Sequence, residues 1–323
     1  MIRIGINGYG NLGRGVELAL GRAADMEAAV VFTRREPGSV ATLGAPVVHV
    51  DDMPEYAGKL DVVINCGGSA TDLEVQGPAV TALFNTVDSF DTHAKIPAHF
   101  AAVNDAARAA GTLALISAGW DPGLFSMLRV LGEAVLPNGT TTTFWGPGVS
   151  QGHSDAIRRI PGVVDARQYT VPVEETVAAV KERRDVELTP RTMHQRVCYV
   201  VAEEGADLAA IERAIVEMPN YFADYDTTVN FVSAAELAAE HSGIPHGGQV
   251  IRTGQTDDAV SETITFGLDL DSNPEFTGSV LVAVARAVAR KAARGETGAI
   301  TVFDVTLAEL SPLSEQELRA HYL

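Results

Sequence analysis

The first fifteen residues, MIRIGINGYGNLGRG, constrain this chain more than any other stretch. Ile2, Ile4 and Ile6 lie in a short β-type run, and Gly8, Gly10 and Gly13 follow at the spacing of a dinucleotide-binding turn that opens into a helix. Gly8 permits the tight turn, Gly10 removes the Cβ that would keep a pyrophosphate from the backbone, and Gly13 lets the helix lie close on the strand. The anion then sits at the helix N-terminus, where free N–H groups point at it. The run Val16 to Ala23 supplies that helix. Gly8, Tyr9, Gly10, Asn11, Leu12 and Gly13 are therefore the first cofactor-binding candidates.

Glu27 to Thr33 reads as a second strand, and its end is where such a domain selects its cofactor. An acidic side chain there binds the ribose 2′-hydroxyl of NAD. This chain has Thr33, Arg34 and Arg35, which suit the 2′-phosphate of NADP, since arginine pairs bidentately with phosphate. Read without that context, the two arginines are a solvated loop pair. Val47 to Val50 and Asp61 to Cys66 follow as strands, the latter ending in the small-residue turn Cys66, Gly67, Gly68, Ser69, Ala70, Thr71, suited to close approach by the nicotinamide half. Asn85 to Asp88 and Leu113 to Ser117 are two further strands, with the helix Ala98 to Ala110 between them. This alternation predicts a Rossmann-type doubly wound parallel sheet.

Polar residues gather after the last two strands, in DSFDTH (88–93) and GWDPG (119–123). Carboxylates beside a nicotinamide pocket can hold an ammonium group and take its proton, which makes Asp91 and Asp121 candidates. Asp121 also reads as a helix N-cap, with Pro122 at the first position of a helix Gly123 to Val135. Beyond Pro137 the pattern changes to a second α/β domain with a mixed or antiparallel sheet for substrate binding and dimerisation. The expected division is 1–118 for the dinucleotide domain, with about 296–323 packing back on it, and 119–295 for the second domain. The Ala- and Val-rich helix Pro274 to Arg294 could also pack back on the first.

Composition narrows the function classes. A net charge of −18 opposes nucleic-acid and anionic-membrane binding, so an anionic ligand must be held by local donors. No apolar run reaches membrane-spanning length and no leader-like segment precedes Ile2, so a cytoplasmic protein is expected. Two cysteines, Cys66 and Cys198, are too few for a Cys-based zinc site, and no metal is expected.

The segments GYGNLGR, TRR, CGGSATD, DSFDTH, SAGWDPG, FWGPGVSQGHSDAIRRIPGV, QYTVP, IPHGGQV and DSNP together resemble the meso-diaminopimelate dehydrogenase family over nearly the whole chain. The resemblance implies NADP-dependent, reversible oxidative deamination of the D-centre of meso-2,6-diaminopimelate to L-2-amino-6-oxopimelate and ammonia, in lysine biosynthesis, by a homodimer. It carries roles at the reacting end onto Asp91 and Asp121, and onto Trp120 and Trp145 as walls of the pocket. Ser150, Gln151 and Gly152 would offer donors to the reacting carboxylate, with His153 as proton carrier. Arg196, with Thr170 and His246, would hold the distal carboxylate, and Asn273 the distal amino group. Read alone, Arg196 at a strand start is a surface salt bridge. Lys95, in HAKIP, departs from the acidic residue of some members.

The alternatives are another NADP-dependent D-amino-acid or aspartate-pathway dehydrogenase, or a non-catalytic NADP-sensing protein. The paired-histidine, lysine and DAPSGT signature of dihydrodipicolinate reductase is missing. Cys198, mid-strand, is a poor nucleophile for a phosphorylating aldehyde dehydrogenase.

Overall fold

The computed structural model describes residues 1–323, which divide into two compact units, Met1–Met127 with Pro274–Leu323 and Leu128–Asn273. In unit 1, strands β1 (Ile2–Asn7), β2 (Met26–Thr33), β3 (Val47–His49), β4 (Val62–Asn65), β5 (Thr86–Asp88) and β6 (Leu113–Leu115) join the C-terminal strand Gly298–Ile300 in one sheet. Every neighbouring pair is parallel, and the order is C-terminal strand, β6, β5, β4, β1, β2, β3. The order reverses between β1 and β4. In open α/β sheets ligands bind beyond the carboxyl ends of the strands at that reversal.

Strands covered on both faces must be apolar throughout, and Ile4, Ile6, Val62, Val63, Ile64, Val87, Leu113 and Leu115 are fully buried. Helix α1 (Asn11–Leu20) packs Val16 and Leu20 on one face, while Val80 of helix α2 (Glu74–Thr81) joins Val30, Phe32 and Val63 on the other. Helices α3 (Ile96–Ala110) and α4 (Leu124–Val135) follow β5 and β6.

The division between units differs from the expected one. It falls at Met127/Leu128 within α4 and at Asn273/Pro274, not at 118/119 and 295/296. The long helix Asn273–Ala293 belongs almost wholly to unit 1 because Leu281, Val282, Val284, Ala285, Ala287 and Val288 share a core with Ile4, Ile6 and Val16. Two glycines let it approach α1. A Cβ at Gly278 would lie 2.5 Å from the carbonyl carbon of Gly15, and one at Gly15 would lie 2.6 Å from the carbonyl oxygen of Pro274.

Unit 2 carries β7 (Gly139–Trp145), β8 (Gly148–Val149), β9 (Val163–Pro172), β10 (His194–Ala202), β11 (Asp226–Phe231), β12 (His246–Asp257) and β13 (Val260–Leu270). These form two sheets. One is mixed, in the order β11-β10-β9-β8, with only β10 and β11 parallel; the other is antiparallel, in the order β13-β12-β7. The chain changes sheets between β7 and β8 at Gly146, whose φ of +99° suits glycine and where a Cβ would lie 2.1 Å from the carbonyl oxygen of Thr170. Helix α5 (Gln151–Arg158) covers the mixed sheet through Ile157, which packs with Ala166, Cys198 and Val200. No helix is long and apolar enough to cross a membrane.

Candidate active site

The glycine turn follows β1 directly. Gly8 has φ +97°, and a Cβ at Gly13 would lie 2.2 Å from the carbonyl oxygen of Gly8, so α1 can close on the turn only with glycine there. Gly10 precedes the helix, and a Cβ on it would meet no atom within 4 Å. The space beside the first-turn N–H groups is open for a pyrophosphate. Asn11 and Leu12 begin α1. The hydroxyl of Tyr9 donates to Glu17, whose buried carboxylate also accepts the N–H groups of Leu43 (3.0 Å) and Ala45 (2.9 Å). Burial and the Glu17 bond push the Tyr9 hydroxyl up to about 12, so it stays protonated.

The residues expected to select the cofactor are tied to this turn. Thr33 Oγ1 accepts the Arg35 N–H (3.1 Å), and Arg35 Nη2 donates to the carbonyl of Tyr9 (2.7 Å). Arg34, 67% exposed, pairs with Asp72 at 2.9 Å. Burial raises the Asp72 carboxyl, but the N–H of Gly68 and the charge of Arg34 outweigh it and hold it below its usual range. Asp72 carried no signal in the sequence. It joins the exposed Arg34 at the end of β2 to the turn after β4. With Thr33, Arg34 and Arg35 at the end of β2 where an NAD enzyme has an acid, these residues fit NADP.

After β4 the carbonyl of Gly68 accepts N–H groups from Thr71, Asp72 and Leu73, winding Ser69–Leu73 into a wide turn. Thr71 donates its hydroxyl to Asp72, and burial pushes the Cys66 thiol up to about 12, which makes it inert. Ala70 lies in the same turn, and Gly67 precedes it. Ser69, expected at the cofactor, has bonds to the next loop, its Oγ accepting the N–H groups of Asp91 (2.9 Å) and Thr92 (3.2 Å). Lys95 pairs with Glu74 at 2.5 Å on the same side.

Asp91 is exposed directly after Phe90 and three residues past Asp88, the last residue of β5. Trp120 is buried against Phe125, edge to face at 5.4 Å. Asp121 does not immediately precede the helix, which corrects the N-cap reading. Helix α4 begins at Leu124, one residue later than expected, because Gly123 has φ +128° and the N–H groups of Leu124 and Phe125 reach the carbonyls of Gly119 and Trp120.

Unit 2 gathers a second group. In register across β8, β9, β10 and β11 stand Gly148, Thr170, Arg196 and Thr227. Arg196 is 7% exposed and donates from Nη1 to Thr170 Oγ1, with its guanidinium 3.8 Å from the centre of the Tyr225 ring. Its Nε is buried without a partner, and no carboxylate lies within 4 Å of it. The surface salt bridge expected of this residue alone is therefore wrong: β10 is an interior strand, and its neighbours bury the side chain. Tyr225 and the buried Gln168 on β9, whose amide atoms lack partners, were not foreseen.

Ser150 caps α5, its hydroxyl bonded to His153 Nδ1 (2.7 Å), while Gln151 and Gly152 are exposed in the first turn. Burial first, and the charge of Arg196 second, lower His153 to about 4, so at neutral pH it is uncharged and a weak base. His194 is lowered to about 4 for the same reasons and accepts the N–H of Trp145 (3.0 Å); Trp145 itself is 40% exposed. His246 adjoins Gly148, where a Cβ would lie 2.5 Å from the His246 Cα, and burial lowers its imidazole too. Asn273 donates its N–H to Ile244 at the same end of β12 (2.9 Å).

A parallel sheet with an open glycine turn and two arginines after its second strand, joined in one chain to a unit bearing a buried cation free of acids, defines a pyridine-nucleotide-dependent amino-acid dehydrogenase. Residues 119–272 match the family model of the diaminopimelic acid dehydrogenase C-terminal domain. The meso-diaminopimelate D-dehydrogenase of Ureibacillus thermosphaericus is 58% identical over 323 residues, covering 100% of this chain and 99% of that one. The structure of the C. glutamicum DAP dehydrogenase in complex with DAP is 45% identical, with a TM-score of 0.92 over 100% of this chain and 99% of that one. An engineered D-amino acid dehydrogenase bound to NADP+ is 43% identical, with a TM-score of 0.87 over 100% and 99%. The chain belongs to the meso-diaminopimelate D-dehydrogenase family.

Proposed function

We propose that this chain catalyses the reversible, NADP-dependent oxidative deamination of the D-centre of meso-2,6-diaminopimelate, giving L-2-amino-6-oxopimelate and ammonia. The observation that carries this reading is Arg196, a buried guanidinium with a threonine and a tyrosine ring around it and no acid, as expected where the counter-ion is a substrate carboxylate. The names of its relatives point the same way.

NADP, when bound, supplies the acceptor for the hydride that leaves the D-carbon. The chain does the rest. Asp91 takes the proton that keeps the D-amino group an ammonium, since only the neutral amine can pass to an imine as hydride leaves. Asp121 is the second carboxylate at the reacting end, and Trp120 and Trp145 exclude bulk water. Ser150, Gln151 and Gly152 orient the reacting carboxylate. Uncharged His153 accepts or relays a proton during attack of water on the imine rather than entering as an imidazolium. Arg196, Thr170 and His246 hold the distal carboxylate and Asn273 the distal amine.

On this reading unit 1 binds the nucleotide and unit 2 grips the distal end of the substrate and forms the homodimer, and the enzyme works in the cytoplasm. The deciding assay follows NADPH formation at alkaline pH with meso-, LL- and DD-diaminopimelate, D-lysine and L-glutamate. Turnover of the meso isomer far above the others is expected. NADPH binding without turnover of any D-amino acid would identify a sensor instead.

A further inference from the structure

We propose that Asp88, backed by His99, is a positioning residue that fixes the two loops carrying Asp91 and Asp121; this rests on the reading of those two carboxylates given above. Asp88 ends β5, and its carboxylate is fully engaged. Oδ1 accepts the N–H groups of Phe90 (3.0 Å) and Ser117 (2.9 Å), and Oδ2 is hydrogen-bonded to His99 Nε2 (2.8 Å). Its carbonyl accepts a fourth bond, from the Ala118 N–H (2.9 Å). Two of these bonds come from the loop after β6, one from the loop after β5 and one from α3. Both side chains are almost wholly buried.

The bonds act where the backbone needs holding. Ser117 is in the left-handed region at φ +57°, a conformation that side-chain-bearing residues keep only when their surroundings fix it. Asp88 grips the N–H of Ser117 and of the residue after it, and Trp120 and Asp121 follow within four positions. On the other side Phe90, fully buried, stacks on the His99 ring at 4.1 Å, so Asp91 emerges from a clamped residue. His99 is pinned in turn by α2, since a Cβ on Gly77 would lie 2.7 Å from its Cε1. Ser69 completes the arrangement from the β4 side through Asp91 and Thr92. A buried carboxylate and imidazole are costly to desolvate, and an apolar pair would pack as well. What an apolar pair lacks is directional acceptors for backbone amides. A reacting group displaced by about 1 Å can cost on the order of 100-fold in rate.

The test compares Asp88→Ala, Asp88→Asn, His99→Ala and His99→Gln with Asp91→Ala, using meso-diaminopimelate and NADP. Asparagine keeps an oxygen for both amides and turns its NH2 toward His99; glutamine sets an amide nitrogen near the place of Nε2. Asp88→Ala should lower kcat at least tenfold and move the pH profile of kcat, with the Kd for NADP within twofold of the parent. Asp88→Asn should recover most of that loss. His99→Ala should show a smaller change in the same direction, which His99→Gln reverses. If the alanine variants keep the parental kcat and pH profile and only melt earlier, the pair is packing and the proposal is wrong. Should Asp88→Ala fail to fold, the two His99 variants decide by the same criterion. Parental kcat in Asp91→Ala would sink the reading of the site itself, whatever the Asp88 variants do.

Discussion

Arg286 in the long helix of unit 1 and Arg196 in β10 of unit 2 are about equally buried, at 5% and 7% exposed, yet their surroundings differ in kind. Arg286 donates from Nε and Nη2 to the two oxygens of Asp25 (2.6 and 2.9 Å) and from Nη1 to the carbonyl of Leu310 (2.8 Å). The pair joins residues far apart in sequence within one core, and it holds the Asp25 carboxyl below its usual range. Arg196 has one hydroxyl, one ring and an unpartnered Nε. Burying a cation without a counter-ion is costly, so the first arginine is a structural tie, and on the function proposed above the second is a cost carried for a ligand. Partner chemistry, not burial, separates the two.

The largest effect should come from carrying the comparison to the surface. Replacing Arg34 and Arg35 together by alanine should cost about 3–6 kcal/mol in NADP affinity, at roughly 1.5–3 per charge-assisted bond. NAD turnover and melting temperature should barely change, because both side chains are exposed. Equal losses with NAD and NADP would show that they do not read the phosphate.

Arg286→Met should destabilise the protein by about 3 kcal/mol, at the low end for a broken buried pair because Asp25 is partly exposed. The KM for diaminopimelate should hold in the folded fraction. Denaturant titration measures the first quantity and initial rates the second.

Arg196→Met should do the reverse. Stability should stay level or rise, while the KM for diaminopimelate increases on the order of 30-fold, about 2 kcal/mol for a lost charge-assisted contact, with kcat less affected. D-alanine, which lacks the distal carboxylate, should lose little further. A steep fall in melting temperature would put Arg196 in the same class as Arg286 and end the comparison.

The smallest effect concerns pH. His153 and His194 are lowered to about 4 in the fold, so below the ordinary value of 6.5 the unfolded chain takes up protons that the folded one refuses. Their contribution is fully present above 6.5 and is lost as the pH falls toward 4. Asp25 behaves differently: lowered in the fold, it stabilises above its ordinary 3.8 and gives way only in stronger acid. Arg196→Met should make the loss between pH 6.5 and 4 shallower, since it removes the second cause of both histidine shifts. An identical slope of melting temperature against pH would place the guanidinium outside their field.

What could be read from the chain follows the range of the interactions. The parallel sheet was legible because β1, β2 and β4 are local apolar runs, and the glycine turn because its spacing lies within six residues. The strand expected over Leu113 to Ser117 stops at Leu115, since Ser117 turns left-handed to reach Asp88. That bond spans 29 residues and leaves no periodic trace. The same holds for Asp72 under Arg34 and for Tyr225 against Arg196, whose places depend on strand pairing rather than on neighbours in sequence. The seventh strand, Gly298–Ile300, is three residues long and has meaning only beside β6.

The interlocked glycines of α1 and the long helix have a consequence for synthesis. Gly15 and Gly278 meet across a chain that leaves the first unit at Met127 and returns only at Pro274. Translation at 5–20 residues per second therefore leaves Val16 and Leu20 without their cover for about 7–30 s while residues 128–273 emerge. Unit 2, one unbroken segment, can finish folding on the ribosome before the unit that started first. A nascent chain released anywhere before Pro274 would carry an uncovered apolar stripe along α1, a ready target for chaperones and proteases, whatever the state of its glycine turn.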